Sequence, residues 1–174
     1  MSVQVNKVYN ANVYLDGTLN LIGRASEVAL PDLALNLEGH KALGMFGEIQ
    51  IPTRLNAMKC TIKWTGFYAE HLRAGANPFK AHNLQVRSSL ETWTAQGRTR
   101  EVPVVWHMTA SWNTVKLGTL KAGDVADFGG DELRVTQVKV LHDGATVCEI
   151  DVFNNIWNVN GEDILARSRA NMGI

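Results

Sequence analysis

Residues 58–65 read Met58-Lys59-Cys60-Thr61-Ile62-Lys63-Trp64-Thr65, and their alternation decides the fold class. Met58, Cys60, Ile62 and Trp64 fall on one side, and Lys59, Thr61, Lys63 and Thr65 on the other. Side chains of an extended chain point alternately to opposite faces, so this is a strand with one buried and one wet face. The pattern recurs further along. Leu84, Val86, Ser88 and Leu90 alternate with Gln85, Arg87, Ser89 and Glu91. Val102, Val104, Trp106, Met108, Ala110 and Trp112 alternate with Glu101, Pro103, Val105, His107, Thr109 and Ser111. Pro103 has no N–H to give a ladder, which places it at an edge or a strand start. Residues 133–141 and 145–152 flank His142-Asp143-Gly144, a short hairpin turn.

Towards the N-terminus, the strand expected over 11–15 ends in the tight-turn pair Asp16-Gly17, and 19–22 returns. Residues 27–30 read as a short strand stopped by Pro31. Residues 67–74 suit about two helical turns, with Glu70 and Arg73 at pairing distance and Gly75 and Pro78 beyond. At the far end, Asn160-Gly161 precedes Glu162 and Asp163, and Arg167 and Arg169 follow. Acids first and bases last suit a helix dipole, which predicts a short C-terminal helix over 161–171. Six to eight strands and two short helices predict a mainly β chain. It is an antiparallel β-barrel or sandwich with a flanking helix and a C-terminal helix, in a single domain over 1–174.

Residues 38–56 break the pattern. Gly39, Gly44, Gly47 and Pro52 lie among Leu43, Met45, Phe46, Ile49 and Ile51. A surface loop is ordinarily polar, whereas this one is glycine-rich and apolar together. Either it folds back over its own core, or it is an extended hairpin that buries an apolar tip on a neighbouring subunit.

Composition narrows the function classes. Seventeen basic residues balance seventeen acidic ones, so the formal net charge is zero. A dedicated duplex binder carries a basic excess, which is missing here. The N-terminal run Met1-Ser2-Val3-Gln4-Val5-Asn6-Lys7 has no apolar signal region, and no stretch is apolar enough for a membrane span. Folding in a cytoplasm is therefore expected. Cys60 and Cys148 read as reduced residues in strands, with a disulfide as the alternative.

No motif for chemistry is present. The histidines at 40, 71, 82, 107 and 142 have no metal-ligand spacing, and no P-loop, GxGxxG or GxSxG occurs. Glu149 and Asp151 share a strand face, but two carboxylates alone are weak grounds for acid–base catalysis. Trp64, Trp106 and Trp112 lie on apolar strand faces, which favours core over a base-stacking platform. The expectation is a protein that is not an enzyme and needs no cofactor or metal. A monomeric β-barrel binding module and a hydrolase built on Glu149, Asp151 or a histidine are the readings from other classes.

The two ends of the chain carry a resemblance. Glu149-Ile150-Asp151, then Val159-Asn160-Gly161, Asp163, Leu165, Arg169, Asn171 and Met172-Gly173-Ile174 form one set. Val13 to Gly17, Leu30-Pro31-Asp32-Leu33, Glu38 and Gly44-Met45 form the other. With these the chain resembles the major tail tube proteins of contractile-tailed bacteriophages and R-type pyocins.

The resemblance implies a β-barrel or sandwich whose copies join as hexameric rings and stack helically into the inner tube of a contractile tail. Such a tube is a conduit for genome delivery and belongs to the virion, with assembly in the host cytoplasm. It implies a sheath protein outside, baseplate and tail terminator proteins at the ends, and tape measure protein and DNA in the lumen. The stretch 40–55 would be the inter-ring loop, with contacts at Leu43, Met45, Phe46, Ile49 and Ile51. A lumen must pass DNA without gripping it, so its lining is expected to be neutral to acidic. Gln85, Arg87, Ser89 and Glu91 are the candidates, preferred over the more basic Lys59, Thr61 and Lys63. The tube of a headless particle, a bacteriocin or secretion device, is the nearest alternative.

Overall fold

A computed structural model describes residues 3–174. The elements in chain order are β1 (Val5–Leu15), β2 (Leu19–Asn20), β3 (Ala25–Ala29), β4 (Leu35–His40), β5 (Ile49–Leu55) and β6 (Met58–Trp64). Helix α1 (Ala69–Gly75) follows, then β7 (His82–Thr94), β8 (Gly97–Thr114), β9 (Gly130–His142), β10 (Ala145–Asp151), β11 (Ile156–Val159), β12 (Glu162–Asp163) and α2 (Ala166–Met172). The chain is mainly β and antiparallel, as the alternation predicts. It has more strands than expected: β4 and β5 carry no clean alternation, and β11 and β12 are too short to write a periodic signal.

One sheet runs in the order β12-β11-β10-β9-β8-β7-β1-β2. It forks at β9. The second half of β9 pairs with β10, while its first half pairs with β6, which in turn pairs with β3. The ladder slips at Thr136, where Gln137 faces Thr109 but Val135 faces Ala110. Such a bulge bends the sheet. The sheet does not close into a barrel: the outer edges of β1 and β3 flank open grooves of about 350 and 710 Å³.

The core lies inside this fold. It joins Cys60, Ile62, Trp64 and Leu133 with Leu15, Leu84, Val86, Met108 and Trp112. The tryptophan reading holds for Trp64 and Trp112, which are buried, and Trp106 packs against the cluster partly covered.

Asp131 is fully buried at the centre. Its carboxylate accepts from Trp64 Nε1 at 2.9 Å, Trp112 Nε1 at 3.0 Å and the Lys116 amide at 2.8 Å. Three donors satisfy a charge that would otherwise be costly to bury. His71 stacks on Trp64 with ring centroids 4.4 Å apart, and burial lowers its pKa.

Pro103 sits where its missing N–H is harmless. Before Val104, β8 pairs with β7 alone, and from Val104 onward it is central. Two local expectations are corrected. Glu70 pairs with Arg24 at 3.2 Å rather than with Arg73. The C-terminal helix starts at Ala166, not at 161. Glu162 and Asp163 instead pair with Val159 and Asn158 as β12.

Candidate functional site

The surfaces that stand out are a hairpin, a broad polar sheet face and unpaired strand edges. Strands β4 and β5 pair only with each other. Leu37 faces Pro52 and Leu35 faces Leu55 on one side, while Ile51 and Ile49 face Glu38 and His40 on the other. Thr53 is the extra residue that causes this switch, and its hydroxyl donates to the Asn36 carbonyl at 3.1 Å. Both faces therefore carry apolar residues, and only Leu55 at the root is partly covered by the core. At the tip Leu43 and Phe46 are 105% and 110% exposed, and Met45, Ile49 and Ile51 are also exposed. Of the two expectations for this stretch, the structure has the projecting hairpin rather than a loop folded over its own core.

Gln85, Arg87, Ser89 and Glu91 lie on the outer face of β7, turned away from the buried Leu84 and Val86. Cross-strand register extends this face widely. One row runs Tyr14, Gln85, His107, Lys139, Glu149 and Asn158 across β1, β7, β8, β9, β10 and β11. A second joins Asn12, Arg87, Val105 and Leu141, and a third joins Lys7, Glu91 and Glu101.

The charges on this face are largely matched. Lys139 pairs with Glu149 at 3.1 Å, and Arg98 with Glu91 at 2.6 Å and Glu101 at 3.2 Å. The hydrogen bond from Arg98 holds the Glu91 carboxyl below its usual range. The Arg87 guanidinium lies over the Tyr14 ring at 5.7 Å. Partial burial, then the nearby Arg87 and Lys139 charges, push the His107 pKa down, which keeps the imidazole neutral at pH 7.

Lys59, Thr61 and Lys63 occupy the outer face of β6. Their lysines are matched too, Lys59 with Glu132 at 3.3 Å and Lys63 with Glu27 at 2.6 Å. The two candidate faces thus differ less in free charge than the sequence suggests.

The C-terminal residues behind the resemblance come together as a latch. Asn160 and Gly161 make a turn at positive φ, 50° and 90°, which Asn and Gly tolerate. Asp163 Oδ1 then accepts from the Leu165 amide at 3.0 Å. Arg169 donates to Asp163 Oδ2 at 2.6 Å and to the Asn155 carbonyl at 2.7 Å. This pairing holds the Asp163 carboxyl below its ordinary range.

No chemical centre forms from the remaining candidates. Glu149 is held by Lys139, and Asp151 Oδ1 accepts from the Phe153 and Asn154 amides to shape a turn. Cys60 is buried and its thiol is pushed up to about 11, while Cys148 stands apart from it, also reduced. Among the described residues no cluster of His, Cys, Asp or Glu could hold a metal ion.

The profile of the family described as phage tail tube protein FII matches residues 5–173. The chain belongs to that family. A relative, the tail tube protein of Escherichia phage P2, is 28% identical over 167 residues, covering 94% of each chain. The fold is shared with the extended sheath–tube complex of an extracellular contractile injection system, PVC. That match has a TM-score of 0.55 and 14% identity, over 78% of this chain and 90% of the other.

Sequence reasoning missed the Asp131 anchor, because one carboxylate at the start of a strand has no pattern. It also missed how far the polar face extends, since that depends on register between distant strands.

Proposed function

We propose that six copies join edge to edge into a ring, and that rings stack into the inner tube of a contractile tail through which the genome passes. One observation carries this reading: the sheet ends in strands whose outer edges have no partner. N-terminal to Val13, β1 pairs with β7 alone, and β3 pairs with β6 alone. Unpaired N–H and C=O rows are templates for another strand, and a closed ring removes them. The exposed hairpin provides a contact of a second kind. It is heterologous, one surface meeting a different one, and such contacts build open filaments.

The face bearing Gln85, Arg87, Ser89 and Glu91 lines the lumen. With Arg98 and Lys139 paired and Arg87 laid over the Tyr14 ring, it offers phosphates little net attraction, so a polyanion can slide along it. The sheath protein packs outside, baseplate and terminator proteins close the ends, and the tape measure protein precedes DNA in the channel. A tube of a headless injection particle is the second reading, favoured by the likeness to the PVC fold.

Negative-stain microscopy of concentrated purified protein tests the proposal. Rings with six-fold symmetry and hollow rods are expected. Monodisperse single copies at high concentration would overturn it.

A further inference from the structure

The hairpin needs an acceptor, and the register places one at the far end of the same strands. Strand β6 starts at Met58, beside the end of β5, and finishes at Trp64. Strand β3 runs the other way, from Ala25 opposite Trp64 to Ala29 opposite Thr61, and leads on to β4. The hairpin therefore leaves from one end of the β3–β6 pair. At the other end three connections meet. Thr65 N donates to the Arg24 carbonyl, tying 22–24 to 65–68. Phe67 packs against Phe128 at 6.1 Å, tying in the loop 115–129.

This end is apolar and open. Leu117, Leu120 and Val125 are 76%, 81% and 93% exposed, Phe67 is exposed where it meets Phe128 of the loop, and Ile22 is exposed in the 22–24 connection. The loop that presents them is built. Thr119 and Asp127 exchange both backbone hydrogen bonds, at 2.7 and 3.2 Å. Its two roots are held by buried Asp131, through the Lys116 amide, and by Asp127 Oδ1, which accepts from Gly129 N at 2.8 Å. Within it lies an open dish of about 590 Å³, lined by Val125 together with the polar Thr119, Lys121, Asp124 and Asp127.

We propose that this end, centred on Leu117, Leu120 and Val125, receives the hairpin tip of a second copy of the chain. The inference rests on the tube reading and deepens it by naming the surface that meets the tip. Two points favour this occupant. Knob and acceptor lie at opposite ends of one strand pair, as a head-to-tail repeat needs. Both surfaces are apolar and of similar size: their exposed side chains each amount to roughly 600 Å². That falls short of the ~800 Å² per partner typical of a stable pair. A single contact is then weak, and only a ring presenting several at once holds the next ring. Dilute protein accordingly does not dimerise through it, although rings polymerise.

Disulfide trapping tests the assignment. In a Cys148→Ser background, a minor fraction of Phe46→Cys protein is mixed with Val125→Cys protein, so that most tips keep the Phe46 side chain, and the mixture is assembled and oxidised. A second mixture pairs Phe46→Cys with Leu165→Cys, which lies in the groove at the hairpin's own root. A covalent dimer joining the two chains is expected in the first mixture and not in the second. Assembled tubes that link Phe46→Cys to Leu165→Cys, or that fail to link it to Val125→Cys, overturn the acceptor while leaving the tube standing. Absence of polymer from unmodified protein overturns the tube reading and the acceptor together.

Discussion

Phe46→Ala separates an assembly role for the hairpin from a folding one. Phe46 is 110% exposed, so it contributes no packing to its own fold. Its replacement is then expected to shift stability by no more than ~0.5 kcal/mol, or about 2 °C in Tm. If the side chain is buried on the next ring, its loss forfeits ~2 kcal/mol per contact. Six contacts act together when a ring docks, which sums to about 12 kcal/mol. At tenfold per ~1.4 kcal/mol, even a third of that raises the concentration needed for growth by nearly a thousandfold. Sedimentation measures polymer, and tryptophan fluorescence measures Tm on the same sample. Polymer at the parent's concentration would refute the inter-ring role. A Tm drop of more than ~5 °C would show that Phe46 packs on its own body.

Three further outcomes follow from the core. Asp131→Ala strands two indole N–H groups and one amide, at ~1–3 kcal/mol each with partial relaxation. A loss of about 4 kcal/mol is expected by urea unfolding, and a change under ~1 kcal/mol would contradict the anchoring role. His71, its pKa lowered chiefly by burial and only partly restored by Asp131, binds its proton more weakly folded than unfolded. Its contribution is therefore fully present above the ordinary value of 6.5 and lost as pH falls below it. His71→Phe should flatten the unfolding profile over that window, and an unchanged slope would remove His71 as the cause. Cys60, with its thiol pushed up to about 11, should resist alkylation in native protein at pH 8 while Cys148 reacts, as mass spectrometry of modified peptides would report. Equal labelling of both would contradict the buried assignment of Cys60.

What the sequence made legible was what burial on one face writes at period two. Strand β6, the first half of β7, and the second halves of β8 and β10 read directly, because Ile62, Val86, Met108 and Ile150 face a core while their neighbours are less covered. The turn pairs Asp16-Gly17 and Asp143-Gly144 were equally plain, since positive φ restricts the residues that fit. The hairpin strands were opaque because no face is buried and Thr53 breaks the register. The first half of β1 was opaque for a related reason: Val5 to Tyr9 lie on a stretch of sheet exposed on both sides. The tail misled because Asp163 looks like a first-turn helix acid. It instead pairs with Arg169 from β12, which only the fold reveals. The polar face was half legible, as residues on one strand whose partners the topology supplies.

The proposed ring rests on unfinished sheet edges that copies complete for one another. Amide hydrogen exchange of the 5–12 and 25–29 segments, compared between dispersed and polymerised protein, tests this most directly. Polymerisation is predicted to slow exchange in at least one of these outer edges by orders of magnitude, while the 84–90 segment, paired on both sides already, changes little. Tubes in which both edges exchange as fast as in the single chain would contradict it.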